Sequence, residues 1–237
     1  MLIRPIFVVL LISVAAITDA LPHPGLRAVG WTIALGLIGV ALAYASASPA
    51  PFGRRATGFH APWAWVINGF NFLGLAFFWR LWRHLNREDP WNEVAPGLVV
   101  GRRLIEADRA AFEAEGPWAV VDCTSELMEP RVLREQAAYL CLPALDGFPP
   151  NQGQLRRAVA WMEEQHAAGR RLYVHCAVGH GRSATTAAAW LLWRGDFDDV
   201  DAALQSMTER RRWISLRPVQ HAALIRFLRD RGTSKEG

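Results

Sequence analysis

Residues Ala28–Ala47 run for 20 positions without a charged side chain, built mostly of Ala, Gly, Leu, Ile and Val. A helix rises about 1.5 Å per residue, so a run of this length matches the roughly 30 Å hydrocarbon core of a bilayer. Two neighbouring stretches are of the same kind. One, at about residues 5–20, is shorter and carries Asp19 near its end, with Arg4 able to snorkel to the interface. The other, at about 61–79, is aromatic. Trp63 and Trp65 at one end and Trp79 and Trp82 at the other have the spacing of two interfacial belts, against which Asn68 and Asn71 count. The short, proline-containing link Leu21–Arg27 fits a tight helical hairpin better than a cleaved leader ending at Thr18-Asp19-Ala20. Residues 1–85 are therefore expected to hold two or three membrane helices, the segment 61–79 either spanning or lying in the interface.

The charge distribution separates this part from the rest. Residues 1–89 hold seven basic and three acidic side chains, whereas residues 90–237 hold 19 of each, so the whole net charge of +4 lies in the apolar part. A balanced C-terminal part offers no basic face to nucleic acid, and no nucleic-acid partner is expected. With 61–79 in the interface, Arg4, Arg54, Arg55, Arg80, Arg83 and Arg87 share one side and only Arg27 is opposite. With 61–79 spanning, Arg54 and Arg55 fall outside. Both arrangements put the C-terminal part in the cytoplasm, beneath an inner or plasma membrane. Three cysteines make no disulfide framework, which agrees with a reducing compartment.

Beyond a polar juxtamembrane helix expected over Arg80–Pro90, residues 90–231 read as one α/β domain, followed by a polar tail at 232–237. Short apolar runs at Leu98–Val100, Ala119–Val121, Leu140–Pro143 and Arg171–His175 are bounded by Gly, Pro or charge and predict buried strands. Helical spacing marks Gln154–Ala168, Ser183–Trp193, Val200–Arg211 and Pro218–Arg229. Alternation of strands and helices implies an α/β layer architecture.

Between the fourth strand and the long helix lies His175-Cys176-Ala177-Val178-Gly179-His180-Gly181-Arg182-Ser183. A strand, a loop with two glycines and a helix N-terminus make an anion cradle of inward amides and the positive end of a helix dipole. A cysteine in such a field loses its proton readily. A guanidinium beside it offers paired donors to two phosphate oxygens, a geometry lysine lacks. Thiolate, amides and guanidinium together suit nucleophilic displacement at a phosphate monoester.

This Cys-x5-Arg-Ser loop resembles the signature of the cysteine-dependent protein tyrosine phosphatase superfamily, in particular its dual-specificity branch. The strand Leu172–Cys176 and the stretch Arg212-Trp213-Ile214-Ser215-Leu216-Arg217-Pro218-Val219-Gln220 look like phosphatidylglycerophosphate phosphatases of the mitochondrial type. The resemblance covers about residues 90–230 and implies a central sheet flanked by helices. It implies Cys176 as nucleophile through a phosphocysteine, Arg182 as phosphate holder and Asp146 as general acid and then base. Ser183 would assist departure of the sulfur, and His175, Ala177, Val178, Gly179, His180 and Gly181 would form the phosphate loop. Cys123-Thr124-Ser125-Glu126 falls where the family has a strand-end motif with an acid. Some tensin-type relatives carry a second cysteine near that position, which makes Cys123 a possible redox partner of Cys176; a small core residue is the plainer reading. Tensin-type phosphoinositide phosphatases are expected to have lysines where Ala177 and His180 stand, so the resemblance speaks against polyphosphoinositide substrates. No metal or other cofactor is expected.

The expected activity is a membrane-anchored hydrolase of phosphate monoesters, with a lipid phosphate such as phosphatidylglycerophosphate as substrate. A dual-specificity or tyrosine protein phosphatase acting on phosphoprotein is the alternative within the class. A phosphate-binding module without turnover and a rhodanese-type sulfur carrier are alternatives of other classes. Intact Cys176, Arg182 and Asp146 oppose the first, and the His-Cys start and Arg-Ser end of the loop oppose the second.

Overall fold

The computed structural model of the 237-residue chain describes residues 3–235, with side chains over residues 12–231. The side chain of Arg4 and the tail residues 236–237 lie outside the described residues. The chain divides into two compact units, Met1–Arg55 with Phe59–Arg87 and Ala56–Gly58 with Glu88–Gly237.

The first unit holds three helices, α1 (Ile3–Ala20), α2 (Pro24–Ala45) and α3 (Pro62–Leu85). Pro24 sits in the first turn of α2, where its missing N–H costs nothing, and His23 caps that turn by accepting from the Gly25 amide at 3.2 Å. Small residues form the buried stripe of α2: Gly30, Ala34, Gly36, Gly39 and Ala43. A Cβ at Gly36 would stand 2.7 Å from Asn71 Nδ2, and one at Gly39 would stand 2.5 Å from Asn68 Oδ1. Rising numbers along α2 meet falling numbers along α3, so the two helices are antiparallel. The asparagines that count against a span are thus turned toward glycines, and Asn68 Nδ2 donates to the Pro51 carbonyl at 2.9 Å. Apolar side chains such as Val66, Leu73 and Phe78 point outward, 74%, 64% and 66% exposed.

Three details differ from the sequence expectation. Helix α2 begins before Ala28, so the link to α1 shortens to residues 21–23. No separate helix covers Arg80–Pro90. Instead α3 runs unbroken to Leu85, where the Asn86 amide and side chain both donate to the Trp82 carbonyl at 2.9 Å and close it. The tail is helical as far as Lys235. Among the described residues, α2 is the one helix long and apolar enough to cross a membrane.

The second unit is built on a mixed five-stranded sheet in the order β1-β2-β5-β3-β4. Its strands are β1 (Trp91–Ala95), β2 (Leu98–Arg102), β3 (Trp118–Thr124), β4 (Ala138–Ala144) and β5 (Arg171–Cys176). Strand β1, absent from the sequence expectation, pairs antiparallel with β2; the other pairings are parallel. Side chains alternate across the sheet. Leu98, Val100, Ala119, Val121, Leu172 and Val174 face α6 (Gln152–Ala167), α7 (Arg182–Arg194), α8 (Val200–Arg210) and α9 (Pro218–Lys235). Val99, Val120 and Tyr173 face α4 (Arg109–Ala114) and α5 (Arg131–Arg134). Both faces are covered, as parallel strands require. Strands β2, β5 and β3 end at one edge, with Arg102 opposite Cys176 and Asp122 opposite His175.

The face under α4 rests on an aromatic cluster. Phe112 stacks on Trp118 at 4.5 Å and meets Tyr173 edge-on at 4.7 Å, and Trp118 Nε1 donates to the Phe112 carbonyl at 2.6 Å. Phe112→Ala should destabilise the second unit by about 3–5 kcal/mol, read as an earlier loss of near-ultraviolet circular dichroism on heating.

Candidate active site

Cys176 closes the central strand, and residues 177–181 form the turn that leads into α7 at Arg182. The backbone of that turn is held inside out. Ala177 O accepts from the Arg103 amide at 3.3 Å, and His180 O accepts from the Ser215 amide at 3.2 Å. Gly179 O and Val178 O accept from the Arg211 guanidinium at 3.0 and 3.3 Å. Gly181 O accepts from the Thr185 amide at 2.8 Å. With all five carbonyls engaged on the outside, the loop amides are left to face its hollow. Gly179 makes this path possible: its φ is +80°, and a Cβ there would lie 2.5 Å from the Gly101 carbonyl.

The Cys176 sulfur sits in that hollow. Its Sγ accepts from the Gly179 amide at 3.3 Å and lies 3.4 Å from the Ser183 hydroxyl. Burial alone would raise the thiol pKa. The Arg182 guanidinium, the Ser183 hydroxyl and the Ser183 and Gly179 amides outweigh that cost, and the thiol ionises below its ordinary value.

Arg182 is only 2% exposed and must be matched by charge. Glu126 takes both terminal nitrogens, Nη1 and Nη2 donating to its two oxygens at 2.8 Å. Nη1 also donates to the Ala144 carbonyl at 3.0 Å, and Nη2 lies 3.2 Å from Asp146 Oδ1. Burial would lower the Arg182 pKa, but Glu126 holds it well above its ordinary value; Glu126, itself enclosed, is held low by Arg182. Nε of Arg182 is buried and has no acceptor among the described residues. The donors left for an anion are therefore Nε–H and the Nη2 hydrogen toward Asp146, rather than both terminal nitrogens.

Asp146, 63% exposed, stands at the head of a tight turn through Gly147. Gln220 braces that turn by donating to Phe148 O at 3.4 Å while its own oxygen accepts from the Arg217 amide at 2.9 Å. His180 Nε2 lies 2.7 Å from Glu88 Oε2. His175 is fully buried behind the loop, stacked on Tyr173 at 5.6 Å, with Nδ1 3.4 Å from the Cys176 carbonyl and Nε2 3.4 Å from Glu129. Asp122, Glu129 and His175 converge there as a group of metal-ligand type that sequence spacing does not reveal. Asp122 is already engaged, accepting from the Thr124 amide at 2.8 Å and from the Tyr139 hydroxyl at 2.8 Å. Cys123 is enclosed against Thr186 at 3.4 Å, and burial pushes its thiol pKa far up.

The sequence-expected residues Cys176, Arg182, Ser183 and Asp146 thus come together at one sheet edge. Sequence reasoning passed over Arg211, Glu126 as partner of Arg182, Gln220 as a brace and Glu88. Arg211 and Gln220 lie in or beside the Arg212–Gln220 stretch that carries the resemblance, which was the available signal; Glu88 has none.

The model of the dual specificity phosphatase catalytic domain matches residues 111–230. The chain is 29% identical over 114 residues to dual specificity protein phosphatase 22 of Homo sapiens, covering 47% of this chain and 59% of that protein. It is 32% identical over 81 residues to phosphatidylglycerophosphatase and protein-tyrosine phosphatase 1 of Mus musculus, covering 34% of this chain and 42% of that protein. It therefore spans about half the length of the curated relatives it matches. A crystal structure of PTPMT1 in complex with PI(5)P has the same fold, with a TM-score of 0.54 and 22% identity over 63% of this chain and all of that one.

The ionised sulfur makes a direct prediction. Alkylation of Cys176 by iodoacetamide should level off below the pH of an ordinary thiol titration. In Arg182→Met the plateau should move to higher pH, so that alkylation at pH values below the variant's plateau is slower than in the unaltered chain. Mass spectrometry of the Cys176 peptide reads the rate.

Proposed function

The chain belongs to the dual specificity phosphatase catalytic-domain family, and on that premise we propose that it is a membrane-anchored, cysteine-dependent phosphatase of lipid phosphate monoesters. The observation that carries the chemistry is the Cys176 sulfur, held by the Gly179 amide and Ser183 hydroxyl at 3.3 and 3.4 Å beside the buried Arg182. The thiolate attacks phosphorus in line as the ester oxygen leaves. Arg182 and the loop amides hold the non-bridging oxygens. Asp146, near the Arg182 guanidinium at 3.2 Å, delivers a proton to the leaving oxygen. In the second step Asp146 takes a proton from water, water oxygen bonds to phosphorus, the S–P bond breaks, and the Ser183 hydroxyl stabilises the departing thiolate. Phosphate and the free sulfur result. Cys123, protonated and enclosed, is a poor partner for exchange, which favours a packing role.

Two features support a lipid substrate. In α3, polar Asn68 and Asn71 point inward and apolar side chains such as Val66, Leu73 and Phe78 outward, the polarity expected of a helix in lipid. Anchoring by α2 with its neighbours raises the effective concentration of a substrate in the same membrane. Residues 90–231 then act as the phosphatase domain on the cytoplasmic side, and 232–237 as a tail. At the loop, His180 Nε2 lies 2.7 Å from Glu88 Oε2, so that ring nitrogen is engaged with a carboxylate rather than turned to a second phosphate. This favours a singly phosphorylated headgroup, such as phosphatidylglycerophosphate, over a polyphosphorylated ring.

The test compares phosphate release from phosphatidylglycerophosphate and from a phosphotyrosyl peptide in the full chain, Cys176→Ser and Asp146→Ala. Cys176→Ser should abolish turnover while retaining ligand. Asp146→Ala should lower kcat by about 100-fold or more, least for esters whose leaving group needs no proton. Full activity of Cys176→Ser refutes the mechanism, and preference for the peptide turns the reading toward a protein phosphatase.

A further inference from the structure

The rim around the loop carries side chains that the reaction does not use. On one side Arg103, whose amide holds Ala177, donates from its guanidinium to the Met128 carbonyl at 3.0 Å. The Met128 side chain is 42% exposed. On another side the Trp213 ring stacks 6.4 Å from that of His180, itself 39% exposed, and the Arg212 guanidinium lies over it at 4.5 Å. On a third the Arg217 guanidinium covers Gly147, where a Cβ would stand 2.8 Å from its central carbon. Three guanidinium groups, an exposed thioether and an exposed indole are thus linked by contacts to the loop or to the turn at Gly147.

Among the nearby acidic groups, Asp146 and Glu126 share the one guanidinium of Arg182, and Glu88 faces His180. At most two carboxylate charges are left there against the three guanidinium groups of Arg103, Arg212 and Arg217, so this rim is positive on balance. Guanidinium stems with an indole suit the boundary between phosphate headgroups and acyl chains, where the ring and stem lie in the apolar zone and the charge meets phosphate.

From this charge complementarity we propose that the mouth of the site, Arg103, Met128, Arg212, Trp213 and Arg217, is a seat for an anionic bilayer surface. Substrate is drawn directly from the plane of the membrane. The inference rests on the phosphatase reading and adds to it how the substrate is presented. Tethering alone would let the domain tumble above the membrane; the seat aims the loop at the headgroup layer.

The test uses the full chain reconstituted in phosphatidylcholine vesicles, with or without phosphatidylserine. The variants are Arg212→Glu and Met128→Asp, singly and together; the Met128 backbone carbonyl that holds Arg103 is unaffected by its side chain. Each is assayed on phosphatidylglycerophosphate in the vesicle, on dissolved p-nitrophenyl phosphate and on a phosphotyrosyl peptide. The double variant should lose about tenfold on the vesicle substrate, and lose the stimulation by phosphatidylserine, while p-nitrophenyl phosphate hydrolysis stays within about twofold. A fluorophore at position 128 (Met128→Cys in a Cys176→Ser background) should shift to the blue when phosphatidylserine is present. An equal loss on all three substrates, a loss confined to the peptide, or no fluorophore shift overturns the proposal. A wild type inert toward p-nitrophenyl phosphate overturns the phosphatase reading instead, and the fluorophore still decides the docking.

Discussion

A guanidinium shut away from water governs this site. Arg182 is 2% exposed, and it is tolerated there because the Glu126 carboxylate meets both terminal nitrogens at 2.8 Å. Removing one partner of a buried pair typically costs about 3–5 kcal/mol, because the other charge is stranded. The pair therefore fixes the direction of the arginine before any ligand arrives. That fixed charge offsets part of the cost of ionising the buried Cys176 thiol, whose pKa lies below its ordinary value. Preorganisation of this kind is what makes electrostatic catalysis effective, since no reorientation is needed when the oxyanion develops.

The second constraint is the everted loop. Five successive carbonyls find donors on the outside, two of them from the single side chain of Arg211. Burial lowers the Arg211 pKa, but its Nη1 gains the Asn92 carboxamide oxygen at 2.6 Å, so its donors are spent on the strand β1 and the loop together. The inward amides follow as the remainder of this accounting. Gly179 belongs to the same argument, because β2 passes so close at Gly101 that no side chain fits.

Much of this was legible in the sequence, and the parts that were not share a physical reason. Strands β2, β3 and β5 announce themselves as apolar runs with β-branched centres because they are buried on both faces, while β4, at the other edge, shows only the apolar stretch Leu140–Pro143. The loop announces itself by residue types that only an anion site needs together. Strand β1 is hidden: Trp91-Asn92-Glu93-Val94-Ala95 lies at the sheet edge, half exposed, with a register shift that breaks alternation. Helices α4 and α5 have six and four residues, too short for a period to repeat. The pairing of Glu126 with Arg182 joins residues 56 positions apart, and spacing alone cannot show such a contact. Composition turns polar at Arg80, which predicts a separate helix over Arg80–Pro90, although the backbone hydrogen bonding of α3 runs on to Asn86.

The same limit explains Asn68 and Asn71. By composition they weaken a span, yet in the helical unit they occupy the space that Gly39 and Gly36 leave open. A polar side chain facing a glycine lets two backbones approach closely while its amide is turned inward between the helices. Polarity summed along a segment misses this, because what matters is the face on which each group lies. Glu88 extends the point to the catalytic unit. It stands three residues beyond the end of α3 and pairs with His180 of the loop after β5. Asp89 and Asn92, just after it, accept from Arg211, which holds the loop's carbonyls. Glu88 and Asp89, which the sequence assigns to a polar juxtamembrane helix over Arg80–Pro90, thus form a structural wall of the loop after β5.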